Sequence, residues 1–400
     1  MTTRPYDIVL FGATGFTGQL TAAYLLRQGA PVRLALAGRN REKLEQIRAQ
    51  LLADVPGATP PDIVLADSGN PDSLEKLCAQ ARVIITTVGP YQLHGEPLVA
   101  ACVSQGCDYV DLTGEPLWVM EMQKKYGEAA EARGVRIVNC CGFDSIPHDL
   151  GVFFTLRELE KRLGRDMLES FTVKVEGFVR AHGDFSGGTW NSAINAMARW
   201  RDLLRERKSQ VRRALTPGRK VKVVEKPDLR KLPDGWAVLM PTIDPSIVVR
   251  SAACYDFYGK QFSYSHFVVS PQLHRIALTT AAIAGIFVVA QVPAGLKWLG
   301  DRRPSGAGPA PEKRATHWFT VDFTAEVSGA QQLQVLRTQV SGRDPGYDDT
   351  AKMLAESALC LALDRDRLPA NHGVVTPAEA MGDALLTRLQ NAGMGFMVKG

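Results

Sequence analysis

None of the seven cysteines, Cys78, Cys102, Cys107, Cys140, Cys141, Cys254 and Cys360, stands in a CxxC pair or beside histidines at zinc spacing. That excludes the common cysteine-built metal sites and fits reduced thiols in a cytosolic protein. Cys140 and Cys141 are adjacent, and vicinal cysteines rarely satisfy disulfide geometry, so packed thiols are expected rather than a redox pair. No tyrosine among the nine is followed by lysine four residues later, which removes the Tyr-Lys proton donor of short-chain reductases. The first residues lack a charged stretch leading into an apolar run with a small-residue cleavage site, so a cytoplasmic protein is expected. Net charge is low as well, at +5, but unevenly spread. Between Arg199 and Lys231 thirteen basic residues face four acidic ones, with few aromatics and no recognition motif, so nucleic acid is not an expected partner.

At 400 residues with 45% hydrophobic and 22% charged composition, the chain has room for two domains and a large core. The stretch FGATGFTG, residues 11 to 18, directly follows the apolar run Ile8-Val9-Leu10 and precedes QLTAAYLLRQ, which carries apolar residues at helical spacing. Strand, glycine turn and helix form the context in which Gly12, Gly15 and Gly18 cradle a pyrophosphate at a helix N-terminus, together with Thr14, Phe16 and Thr17. A second strand over Val32 to Ala37 ends in Gly38-Arg39-Asn40-Arg41. No acid appears there to hold both ribose hydroxyls, and an arginine at this place accommodates a 2′-phosphate, so NADP(H) is the expected cofactor, with Arg39 and Asn40 at it. Arg41 and Lys43 also read as a solvated helix face. A third strand at Ile63 to Ala66 ends at Asp67-Ser68, a candidate adenine contact. A fourth, Arg82 to Val88, puts Thr87, Gly89, Pro90 and Tyr91 near the pyrophosphate and nicotinamide, since ligands lie beyond the carboxyl ends of parallel strands. Further strands at Tyr109 to Leu112 and Val135 to Cys140 complete an α/β unit.

From here the chain resembles the saccharopine dehydrogenase-like oxidoreductases, specifically the branch of trans-acting enoyl reductases of lipid assembly. The resemblance rests on GATGFTG (12 to 18), AGRN (37 to 40), VGPY (88 to 91), YVDLTGE (109 to 115), CGFDSIPHDLG (141 to 151) and SGGT (186 to 189). It continues in GYDDTAKMLAESALCLA (346 to 362) and TPAEAMG (376 to 382). It implies an N-terminal Rossmann-type parallel sheet followed by a second, mixed α+β domain. The expected division is 1–145 for the NADP-binding unit, 146–345 for the substrate domain and 346–400 for C-terminal helices packing back on the core. The arginines show no compact carboxylate-clamp pattern, which counts against an amino-acid-type, saccharopine-like dehydrogenase.

The block CCGFDSIPHDLG follows the last apolar strand and offers Asp144 and His148 for proton transfer, as imidazole and a raised carboxyl pKa suit that work near neutral pH. Alternatively Asp144 or Ser145 caps the next helix, Pro147 lies in its first turn and His148 is at the surface. Tyr91 reads equally as a proton donor and as a packing wall. Asp111 and Glu115 read as backbone-bonding and capping groups, and the other six histidines as isolated. In the second domain, 171–178, 247–255, 318–327 and 333–340 are strand-like and 189–207 helical. No charge occurs between Arg275 and Lys297. The segment 276–296 admits three readings, an interfacial or lipid-facing helix, a buried helix, or a span, and a Pro/Gly-rich basic loop follows it. The expected function is NADPH-dependent reduction of a hydrophobic acyl or enoyl substrate, peripheral attachment to a lipid surface being compatible with it. The runner-up among enzymes is an amino-acid-type dehydrogenase forming or cleaving a C–N bond, and the alternative of another class is a non-catalytic NADP(H)-binding lipid-surface protein. A homodimer is compatible with the sequence.

Overall fold

The computed structural model describes residues 4–184, 187–209, 218–224, 228–240, 242–302, 308–329 and 334–399. Ser186 of the SGGT block, 210–217 and 225–227 of the basic stretch, and 303–307 of the Pro/Gly-rich loop lie outside the described residues.

Six strands open the chain: β1 (Tyr6–Phe11), β2 (Leu34–Gly38), β3 (Asp62–Leu65), β4 (Ala81–Thr86), β5 (Asp108–Val110) and β6 (Arg136–Val138). The central ones are short and apolar without alternation, as strands covered on both faces must be. The second domain contributes β7 (Thr172–His182), β8 (Lys220–Val223), β9 (Leu229–Leu232), β10 (Gly235–Leu239), β11 (Gln261–Ser270), β12 (Trp318–Ser328) and β13 (Gln334–Gly342). The C-terminal region then adds β14 (Gly373–Val375) and β15 (Gly395–Lys399).

The first sheet is wholly parallel in the order β14-β6-β5-β4-β1-β2-β3. Strand order runs away from β1 in both directions, so the crevice between the carboxyl ends of β1 and β4 is the topological switch point where such sheets bind ligands. The second sheet is mixed, in the order β15-β13-β12-β7-β11-β10-β9. Its strand β12 alternates buried and half-exposed residues along its length, the mark of a sheet with one face on the core. Strand β11 pairs with β8 along Gln261 to Tyr264 and with β10 along Phe267 to Ser270, so two strands share one edge in succession. A single apolar cluster, including Leu10, Val110, Leu150, Phe323, Val340 and Leu354, runs from the first sheet into the second.

Several expectations are corrected. Of residues 247–255, read as a strand from Ile247-Val248-Val249, 247–254 lie in the helix Asp244–Cys254, which has Pro245 in its first turn, and Tyr255 follows its end. Helix 189–207 is two helices, Gly187–Ala198 and Trp200–Ser209. The apolar segment is helix Leu273–Ala290, a turn at Gln291, and a second helix Pro293–Asp301 folded back against it. It is not a buried helix: only 6% of Leu273–Ala290 is buried, and Leu278 and Val288 are 68% and 67% exposed. Strands β8 to β11, β14 and β15 have no counterpart in the sequence reading.

Candidate functional site

The glycine turn is built by close approach. Gly12 has φ +91°, and a Cβ there would lie 2.7 Å from Thr87 Oγ1. At Gly18 a Cβ would lie 2.3 Å from the Gly12 carbonyl oxygen, so only glycine lets the helix sit this close to the turn. Gly15 is the N-cap of helix Phe16–Gln28 and supplies no side-chain cap, and the first turn holds no acid. Its leading N–H groups are left to an anion, which the helix dipole also favours. Thr14 and Thr17 line this turn; the Thr14 carbonyl accepts from Gln19 Nε2 at 3.1 Å and the Thr17 carbonyl from Thr21 Oγ1 at 2.8 Å. Phe16 has a different task from the one expected. Its ring packs edge-on against Tyr347 at 5.1 Å and under the Arg314 guanidinium at 5.5 Å, bracing the turn against the second domain.

Arg39 follows β2, is exposed, and has no ion-pair partner among the described residues. Asn40 caps the next helix, its Oδ1 accepting from Lys43 N at 2.9 Å. Arg41 pairs with Glu45 at 3.7 Å on a solvated face. Asp67 closes the turn after β3 by accepting from Gly69 N at 3.0 Å, with Ser68 half-buried beside it. Thr87 donates to the Gly12 carbonyl at 3.1 Å, so the exit of β4 is tied to the glycine turn. Gly89 is exposed and Pro90 half-buried next to it. An uncapped helix N-terminus with Arg39 and no acid nearby suits NADP(H), which supplies a hydride when bound.

Tyr91 does not serve as a donor facing the nicotinamide. It is 4% exposed, its hydroxyl donates to the Thr86 carbonyl at 3.1 Å, and burial pushes the phenol well above its usual pKa. Glu115 is buried and caps the short turn after Pro90, accepting from Tyr91 N at 3.2 Å, Gln92 N at 3.1 Å and Ser192 Oγ at 3.0 Å. Asp111 accepts from Thr113 N, Cys140 N, Asn139 Nδ2 and Tyr109 OH. The cysteines form no disulfide, and Cys140 has φ 64° at the end of β6.

Residues 144–149 lead into helix Ile146–Leu163, at whose N-cap Ser145 makes no side-chain cap bond. Asp144 is half-buried, and burial raises its carboxyl to about 6. His148 is neither at the surface nor a cationic acid: it is 2% exposed, and burial drives its pKa well below 6.5. Its ring stacks at 4.9 Å on His266, which reads in the sequence as an isolated histidine. His266 is fully buried and pushed down to about 4. Nor is His317 isolated, since its Nδ1 bonds buried Asp344 at 2.7 Å.

The model of the saccharopine dehydrogenase NADP binding domain matches residues 8–138. A trans-acting enoyl reductase of Mycobacterium leprae is 37% identical over 430 residues, covering 98% of this chain and 97% of its own. The chain belongs to this family. A second member, the trans-acting enoyl reductase of Mycobacterium tuberculosis, is 35% identical over 98% of this chain and 97% of its own. Apo saccharopine dehydrogenase (L-Glu forming) from Saccharomyces cerevisiae shares the fold, with a TM-score of 0.55 at 12% identity over 99% of this chain and 100% of that one. As a trans-acting enoyl reductase family member the protein is an NADP-dependent oxidoreductase.

Proposed function

We propose that the protein reduces a hydrophobic acyl substrate, an α,β-unsaturated acyl thioester, at the carboxyl ends of β1 and β4. The observation that carries this reading is the uncapped helix behind Gly15 with Arg39 beside it, in a chain whose relatives along nearly its whole length are called trans-acting enoyl reductases. The apolar hairpin 273–301 supports a lipid-like substrate. It presents Leu278, Ile283, Val288, Val292 and Trp298 outward, with Arg275, Lys297 and Arg302 around them. An apolar helix edged by cations fits an anionic lipid surface.

Calorimetric titration with NADPH and NADH, then NADPH oxidation on adding saturated, unsaturated and varied-length acyl thioesters, tests the proposal. Preference for NADPH and turnover only with unsaturated thioesters are expected. Binding without turnover of any thioester would leave a nucleotide-binding lipid-surface protein in place of a reductase.

A further inference from the structure

Five buried polar atoms have no hydrogen-bond partner among the described residues: Asp244 Oδ1, Ser145 Oγ, His148 Nδ1, His266 Nδ1 and Tyr264 OH. Each parent side chain is at least nine-tenths buried. An unmet buried polar atom costs about 1–3 kcal/mol, so a cluster of them calls for a ligand or a reaction to account for it. Three separate parts of the chain bring the cluster together. Asp244 opens helix Asp244–Cys254, His266 and Tyr264 lie on β11, and Asp144 to His148 lead out of β6. Thr242 Oγ1 bonds Asp244 Oδ2 at 2.5 Å and His266 Nε2 at 3.0 Å, and the His266 Nε2 to Asp244 Oδ2 distance is 3.6 Å. The preceding residue, Ile243, packs in one apolar cluster with Phe11, Tyr91 and Cys140, from the ends of β1, β4 and β6. Asp244 lies within charge range of Asp144, which follows the carboxyl end of β6 in the first sheet.

We propose that Asp244 is the acid that delivers a proton from Oδ1 to the substrate carbon, with Thr242 and the stacked His148 and His266 as positioning residues and Asp144 as its route to solvent. The assignment rests on the reductase reading above. The Asp244 O–H bond breaks and a C–H bond forms with the electron pair displaced from the substrate double bond by the incoming hydride. Asp244, left as a carboxylate, regains a proton from water by way of half-buried Asp144. Burial first, and then the Asp144 charge, hold Asp244 in its protonated form, against the bond from Thr242. His266 beside it and the His148 ring stacked on His266 stay neutral, so neither draws the proton off as a cation. Thr242, which already bonds Oδ2, and His266 behind it leave Oδ1 as the open atom.

Asp244→Asn is expected to cut turnover of an α,β-unsaturated acyl thioester of N-acetylcysteamine about 100-fold or more, with NADPH affinity unchanged. A second readout needs neither cofactor nor substrate. A carboxyl raised above its unfolded value of 3.8 gives stability that is lost as pH rises past that value. The Tm of Asp244→Asn relative to wild type is therefore expected to climb as pH rises from about 4. Thr242→Val covers a misfolded Asn variant: loss of a bond that favours the carboxylate moves the basic limb of the pH–rate profile upward, which a structural role would not do. Full turnover in Asp244→Asn, or a flat Tm difference, overturns the assignment. Wild-type protein that binds NADPH but reduces no thioester overturns the reductase reading itself, whatever the Tm difference shows.

Discussion

We propose that Arg39, one exposed guanidinium at the exit of β2, carries the choice of nicotinamide cofactor. Arg39→Asp removes a charge-assisted bond worth about 1.5–3 kcal/mol and places a carboxylate where the 2′-phosphate would lie. NADPH is expected to bind roughly 10- to 100-fold more weakly while NADH is little changed, as read by calorimetry. Equal losses for both would sink the 2′-phosphate role. Asp149 offers a test on stability instead. It is fully buried in helix Ile146–Leu163, its Oδ2 accepts from Ala378 N at 2.8 Å, and burial raises it to about 7. With the folded pKa above the unfolded one, the wild type loses stability as pH climbs from about 4 to about 7. Asp149→Asn lacks that loss, so its Tm relative to wild type should rise across this window and level off above it. The place of Arg39 at the exit of β2 was legible because a strand end is a local signal. Asp244, Thr242 and His266 were not, because each looks ordinary in its own segment and only the meeting of β11 with the 242–254 segment makes them a group.

Among the elements, helix Leu273–Ala290 was visible as a charge-free run, but its surroundings were not. Hydropathy reports what a helix is made of and says nothing of what lies next to it. Its far end packs where Ile286 and Ala290 meet Ile194 and Leu299. Leu278→Glu with Val288→Glu changes exposed positions alone, so Tm should be nearly unchanged. Sedimentation with anionic phospholipid vesicles is expected to drop severalfold, as two apolar anchors are exchanged for charges the surface repels. Equal sedimentation of variant and wild type would remove the lipid role from this hairpin. The misreading at 247–255 has a related cause. A short apolar run is common to strand and helix, and the deciding signal, an acid and a proline in the first turn at Asp244 and Pro245, is a helix-start pattern and not a periodicity.

For the whole molecule, the parallel half of the fold is written in the sequence as strands and helices in alternation, whereas the return of the C-terminus is not. Strand β14 has three residues, too few to show a pattern, and pairs with β6 through Gly373 to Val375. Helix Asp348–Leu363 packs on the helix behind the glycine turn and on β4, and Arg388 ties Glu356 to Asp364 in the same region. The same segment ends in β15 on the other sheet. A fragment ending at residue 145 should therefore show no cooperative thermal transition, although it contains the entire glycine turn; a sharp calorimetric peak from that fragment would contradict this.

The late arrival of β14 also matters during synthesis. Between β6 and its outer partner lie more than two hundred residues, on the order of tens of seconds of translation at about 5–20 residues per second. Throughout that interval β6 carries an open parallel edge, and the apolar floor meant for Asp348–Leu363 stays bare. A chain cut short before Gly373 would hold most of its residues and an unfinished first sheet.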